Sequence, residues 1–324
     1  MKKSKLFYLC ALFALILVIV ACTDNVQEQE TINIGTLMGP TGMGMALLME
    51  NNDTGKSNLD YEFTVVASPD ELVGKIVNKE IDIAAVPSNL AATLYNVTNK
   101  QVEVLAINTL GVLYMLEEGH NITSINDLKG KDIHISGKGT VPEYVFKYLL
   151  EKNQINPESD LSITFSTHHA DLSTKMAAGD VELSILPQPH VTTVLKNNPN
   201  VRIAMDVNKE WKQEFEQELP MGVVVAQKDF IKENTEELEL FFNEYKSSVN
   251  FVNSNQSEAG EFIQNFGILP NAQIATEAIE LSNIVFIDMQ KGKQMLDSLY
   301  QILFEYNPQS VGGQLPDEDF YYEH

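Results

Sequence analysis

Residues 71–87 recur without a gap at residues 171–187. Leu72/Leu172, Lys75/Lys175 and Pro87/Pro187 are identical, and eight further pairs, among them Glu71/Asp171, Ile76/Met176 and Asp82/Glu182, are conservative. The same offset aligns 62–67 with 162–167 through Thr64/Thr164, and an offset one residue shorter aligns Gly39-Pro40-Thr41 with Lys138-Gly139-Thr140. A unit of this length is too long for a solenoid repeat and suits a lobe. Helix–strand units share patterns, but they rarely hold register over so many positions. The chain is therefore expected to form two similar α/β lobes, and two facing lobes make a cleft in which something binds.

The ends of the repeat fix the organisation. Residues 32–37, 62–67, 81–86 and 102–107 read as strands, and Leu72, Val73, Ile76 and Val77 give a helix over 70–79 one apolar face. Strand–helix alternation of this kind predicts mostly parallel sheets. Residues 111–116 and 222–226 are Gly-led apolar strands that each follow the last strand of a repeat, the natural places to cross between lobes. Lobe one is then 32–112 plus 221–324, with a helical C-terminal part, and lobe two is 113–220.

The N-terminus is a targeting segment. Lys2, Lys3 and Lys5 precede an apolar run from Leu6 to Ala21, which ends Ile19-Val20-Ala21-Cys22 before polar Thr23-Asp24-Asn25. Sixteen helical residues reach only about 24 Å, short of a ~30 Å bilayer core. Ile19-Val20-Ala21-Cys22 resembles a bacterial lipobox, which implies a leader over 1–21 and lipidation at Cys22, followed by a tether over 22–31. Removing three lysines and no acid takes the net charge from −23 to −26. So acidic a chain is repelled by nucleic acid and by anionic lipid surfaces. Neither cysteine is left for a disulfide, so core burial must supply the stability.

In open α/β sheets, ligands lie beyond the carboxyl ends of strands, at helix N-termini. That rule selects Thr41, Gly42, Met43, Ser68, Ser88, Asn89 and, at the first crossover, Asn108 in lobe one. In lobe two it selects Gly139, Thr140, His168, Gln188 and His190. Met43 offers a thioether to a flat ligand. His168-His169 with His190 suits either a transition metal or a heteroaromatic ligand; adjacent residues after a strand point oppositely, so one of the pair faces the cleft. The spacing includes no His-x-x-x-His pair, and no metal site or cofactor is expected. Gly39–Gly44 lacks the Lys-Ser/Thr of a P-loop, and Pro40 interrupts dinucleotide glycine spacing. No Ser or Cys sits in a nucleophile elbow, so no enzyme is expected. Arg202, the sole arginine, opens a predicted strand at the end away from the cleft, which argues against a guanidinium clamp on an anion.

The leader ending at Cys22, the duplicated lobes and Asp127-Leu128-Lys129-Gly130-Lys131 together resemble ABC-transporter solute-binding lipoproteins of the nitrate/sulfonate/taurine and thiamine-precursor branch. The C-terminal stretch Asn307–Gly313, with Pro316-Asp317 and Phe320-Tyr321-Tyr322, resembles the tail of a subgroup of that branch. The resemblance covers nearly the whole chain beyond the leader. It implies a type II periplasmic-binding-protein fold, a small-molecule ligand between the lobes, permease and ATPase partners, and a monomer lipid-anchored on the outer face of the cell membrane. A pyrimidine of the thiamine-precursor kind is the favoured ligand, with sulfonates, taurine or nitrate as alternatives. The branch also includes pyrimidine-precursor enzymes of the same fold, and a lipoprotein that only senses its ligand is a further alternative.

Overall fold

A computed structural model of the chain describes residues 31–323. The leader, Cys22 and the tether up to residue 30 lie outside the described residues. Eleven strands form two sheets. The first contains β1 (Ile32–Leu37), β2 (Tyr61–Val66), β3 (Ile83–Pro87), β4 (Val102–Thr109), β10 (Gly222–Gln227) and β11 (Ile284–Asp288), in the order β2-β1-β3-β10-β4-β11. The second contains β5 (Leu113–Glu118), β6 (Asp132–Ser136), β7 (Ser162–Ser166), β8 (Leu183–Pro187) and β9 (Val201–Asp206), in the order β7-β6-β8-β5-β9.

Apart from β11, the two orders are the same pattern, and the slot next to last is exchanged. β10 returns from the second half to sit between β3 and β4, and β5 leaves the first half to sit between β8 and β9. Both inserted strands run antiparallel to their neighbours, so the sheets are mixed where the alternation predicts mostly parallel ones. The reason is connectivity: β5 follows β4 after three residues and β10 enters from the second sheet, so neither is delivered by the helical crossover within its own sheet that a parallel strand needs. The repeat's two offsets appear directly in the register. Gly35 pairs with Thr64 as His134 pairs with Thr164, 100 residues apart on one strand and 99 on the other.

Helices follow the strands: α1 (Pro40–Met43), α2 (Ala46–Asp53), α3 (Pro69–Val77), α4 (Ser88–Val97), α5 (Val141–Lys152), α6 (His169–Ala178), α7 (His190–Asn197) and α8 (Val207–Phe215). The remainder are α9 (Lys228–Glu233), α10 (Thr235–Ser254), α11 (Gln256–Asn265), α12 (Ala272–Ile279) and α13 (Met289–Tyr306). Pro69 at the first turn and Asp70 and Glu71 beside the helix dipole start α3, which buries Leu72 and Ile76. Val77, expected on that face, is instead 46% exposed, because the helix ends there. Gly39–Gly44, read as a turn, contains the one-turn helix α1.

One apolar cluster runs through both sheets, from Leu72 and Val223 to Ile133 and Trp211. Trp211 is buried and stacks on Phe215 at 4.2 Å. A second cluster fills the other face of the first sheet beneath α2, α10, α11 and α12, and a third lies beneath α6 and α7. In α10, Phe241 and Tyr245 are fully buried and stacked at 5.5 Å, each side chain contributing about 1.5–3 kcal/mol by burial. The first crossover is pinned from both sides: Leu110 N donates to Asn283 O (3.0 Å), Asn283 Nδ2 to Gly111 O (2.5 Å) and Tyr114 Oη to Leu281 O (2.9 Å).

Candidate functional site

Hydrogen-bonding capacity separates framework from candidate contacts, since a buried polar group that serves the fold has its partners there. At the strand ends of the first sheet most groups are committed. Asn108 is 1% exposed; its Nδ2 donates to Thr41 O (2.9 Å) and Tyr245 Oη (3.2 Å), and its Oδ1 accepts from Thr109 Oγ1 (3.1 Å). Ser88 is fully buried, donating from N to Met221 O (3.0 Å) and from Oγ to Pro220 O (2.9 Å), so it ties β10 to β3. Gly42 donates to Gly39 O (3.0 Å), and a Cβ there would lie 2.9 Å from Leu37 O, so glycine permits α1 to close on β1.

Met43, expected as a pocket wall, is fully buried in the second core cluster; the thioether exposed at this strand end belongs to Met38, 51% exposed. Periodicity explains the difference, because Met43 closes the α1 turn inward while Met38 follows directly on β1. The Thr41 hydroxyl, the exposed Ser68 hydroxyl and the half-buried Asn89 amide make no side-chain hydrogen bond among the described residues.

The second sheet differs. Thr140 Oγ1 donates to Gly137 O (2.7 Å) and Gly139 N to Glu143 Oε2 (2.7 Å), so the glycine loop expected to cradle a ligand satisfies itself as a tight turn. Gly137 (φ +87°) is required there: a Cβ would lie 2.9 Å from Thr140 Oγ1. Beside it, Ser136 Oγ meets His169 Nδ1 at 2.5 Å, and the His169 and His190 rings are 5.7 Å apart. One histidine of the adjacent pair does turn inward, and it is His169. His168 is exposed at the cap of α6. Burial, then neighbouring His190 and His168, pushes the His169 pKa down to about 4, and burial lowers that of His190. Both rings are neutral at pH 7. Neither His190 ring nitrogen, nor His169 Nε2, is hydrogen-bonded among the described residues.

Gln188 is 2% exposed; its Oε1 accepts from Thr192 Oγ1 (2.9 Å) and Thr192 N (3.3 Å), while its buried Nε2 finds no acceptor. The Gln188 amide is thus fixed through its oxygen with its donor unused, and the His169 and His190 rings at the strand ends of the same sheet keep ring nitrogens without a partner among the described residues. Ser136 was missed as a candidate, and of the adjacent pair His168 was selected. The signal for Ser136 was present in alternation: Ile133 and Ile135 are core, which puts His134 and terminal Ser136 on the other face.

The charged inventory is as informative. Arg202 donates to Glu117 Oε2 (2.6 Å), Ile122 O (2.5 Å) and Gly119 O (3.0 Å), far along β9 from its carboxyl end. Lys138 sits over the Phe165 ring at 5.2 Å. Among the described residues no three His, Cys, Asp or Glu side chains converge to hold a metal ion. The Ser136–His169 contact is the geometry of a nucleophile and base, yet Ser136 is 1% exposed and a histidine titrating near 4 is a weak base. No helix among the described residues is long and apolar enough to cross a membrane.

Residues 100–259 match the family described as "NMT1/THI5 like". No curated protein matches the chain by sequence. Among solved structures, an ABC transporter protein from Parabacteroides distasonis is 24% identical, with a TM-score of 0.77 over 90% of this chain and 99% of that one. The periplasmic aliphatic sulphonate binding protein SsuA from Escherichia coli is 13% identical (TM-score 0.70; 91% and 92% covered). A ligand-binding component of an ABC-type import system from Staphylococcus aureus, solved with zinc bound, is 14% identical (TM-score 0.69; 91% and 97% covered). The expected resemblance therefore holds: the chain carries an NMT1/THI5-like segment within the α/β fold of periplasmic solute-binding proteins of ABC transporters.

Proposed function

We propose that this chain is the extracytoplasmic, lipid-anchored solute-binding component of an ABC importer, holding a small organic molecule between lobes built on the two sheets and delivering it to a permease and its ATPase. The observation that carries the reading is unused hydrogen-bonding capacity at the strand ends of the second sheet, in Gln188 Nε2 and in the His169 and His190 rings, where this fold type places ligands. Thr41, Ser68, Asn89 and Met38 are the facing contributions. Cys22 is the lipidated residue; palmitate labelling that survives Cys22→Ser would remove the anchor from the proposal.

The ligand suited to these groups is a neutral or weakly basic heteroaromatic, such as a pyrimidine of the thiamine-precursor kind. Neutral imidazoles and amides hydrogen-bond ring nitrogens and stack on flat rings, whereas the only guanidinium is committed to Glu117. A sulfonate is the second reading, favoured by the likeness to the sulphonate binding protein. Helix N-termini and Lys138 would then hold the anion. Catalysis has no support beyond the buried Ser136–His169 pair.

Thermal shift of the purified protein against aminopyrimidines, aliphatic sulfonates, nitrate and zinc separates these readings. A ligand at 100 times its Kd adds about 2.7 kcal/mol, seen as several degrees. A shift with sulfonates or nitrate and none with pyrimidines overturns the ligand class. Turnover of any of them overturns the transport reading.

A further inference from the structure

A cavity of about 480 Å³ lies in the first-sheet half, sharing no residue with the strand-end site. Its floor is Leu105 of β4 and Met289 at the start of α13, both buried. Phe286 of β11, Phe242 and Lys246 of α10, and the chain's last residues form the walls. That last wall is anchored. Tyr322 N donates to Val104 O (3.0 Å), Tyr321 Oη to Asp297 Oδ1 (2.5 Å), and fully buried Phe320 packs on Tyr95 at 4.9 Å.

The charges on the walls are of both signs and do not neutralise one another. Lys293 is held by Asp297 (2.8 Å) and Glu318 (3.2 Å). Lys246 forms no ion pair among the described residues and instead stands over the rings of Phe286 (4.7 Å) and Phe242 (5.7 Å). Asp288 uses one oxygen to cap α13, accepting from Lys291 N at 3.2 Å, and Glu323 lines the same space. A simple anion would be attracted by Lys246 and repelled by Asp288 and Glu323; a simple cation meets the reverse. A molecule carrying both charges on an apolar body satisfies both walls and the aromatic surface between them. The volume lies in the range of small-ligand sites.

We propose that this cavity is a second binding site, for an amino-acid-like zwitterion: its carboxylate pairs with Lys246, its ammonium with Asp288 and Glu323, and its apolar side chain lies against Phe286. Saturation-transfer NMR with the purified protein tests this, using L-phenylalanine, phenylacetate and phenethylamine as probes. Phenylalanine should bind, and each analogue lacking one charge should bind at least tenfold more weakly. Lys246→Met and Asp288→Asn, the latter keeping a helix cap, should each weaken phenylalanine at least tenfold while the melting temperature stays near that of the unmodified protein. Phe286→Leu should do the same where either charge variant fails to fold. Binding that survives Lys246→Met, that is equal for the three probes, or that is absent overturns the proposal. Loss of phenylalanine binding on His190→Phe would place the probe at the strand ends and overturn it too, leaving the strand-end reading untouched.

Discussion

The strand ends of the two sheets occupy equivalent places in a duplicated framework, and they treat their polar groups differently. In the first sheet, Asn108 uses both ends of its amide, on Thr41 O, Tyr245 and Thr109. In the second, Gln188 and His169 are each held through one side of the group and leave the other unpaired, and neither His190 ring nitrogen is hydrogen-bonded among the described residues. Duplication supplied the scaffold twice. One end is largely committed within the framework, and the other leaves hydrogen-bonding capacity unused. Location alone therefore nominates a residue poorly; location together with unused capacity does better.

That contrast can be broken at its stronger end first. Asn108→Ala removes the partner of three groups at a buried site and should cost about 3 kcal/mol of unfolding free energy, read by urea denaturation. A loss under about 1 kcal/mol would mean the network is not structural. The next effect is a pH dependence in the second sheet. His169 titrates near 4 when folded and near 6.5 when unfolded, so below pH 6.5 the unfolded chain binds the extra proton. Its contribution is fully present at pH 7 and is lost on acidification from 6.5 to about 4, by about 3 kcal/mol in all. In His169→Asn, which keeps a partner for Ser136, this acid loss should shrink; an identical pH profile would contradict the burial argument.

Gly222→Ala is third. The added methyl would lie 2.7 Å from Asn108 Oδ1 and 2.8 Å from Thr41 Cγ2, costing about 2 kcal/mol in thermal denaturation. A neutral outcome would show that the β10 contact is loose. The smallest effect is the most diagnostic: His190→Phe should change apo stability by less than about 0.5 kcal/mol, because its ring nitrogens hold nothing in the fold, yet weaken ligand binding at least tenfold. Destabilisation by 2 kcal/mol would return His190 to the framework.

Much of the fold was legible because the repeat preserves register. The crossover strands, read at 111–116 and 222–226 and found at Leu113–Glu118 and Gly222–Gln227, follow from a pattern written twice, whereas the antiparallel insertion of both does not. Strand β11 was not legible: Ile284–Asp288 has no counterpart in the second sheet and sits between helices, without turn signals of its own. The site was only partly legible. Adjacency implied that one of His168 and His169 turns inward, but which one depends on where α6 starts, a boundary set by tertiary packing. Likewise the commitment of Ser88 depends on Pro220, just before β10, and that of Asn108 on Tyr245 of α10, each more than 100 residues away. No local pattern records a partner supplied from that distance.

On the proposed function, uncommitted groups at the strand ends draw two halves of the molecule together around a solute. Small-angle scattering of the purified protein, with and without the compound giving the largest thermal shift, addresses it most directly. The radius of gyration should fall on binding, and His190→Phe should abolish the change at the same ligand concentration. A saturated complex with an unchanged radius of gyration, or one that chemically converts the compound, would contradict the claim.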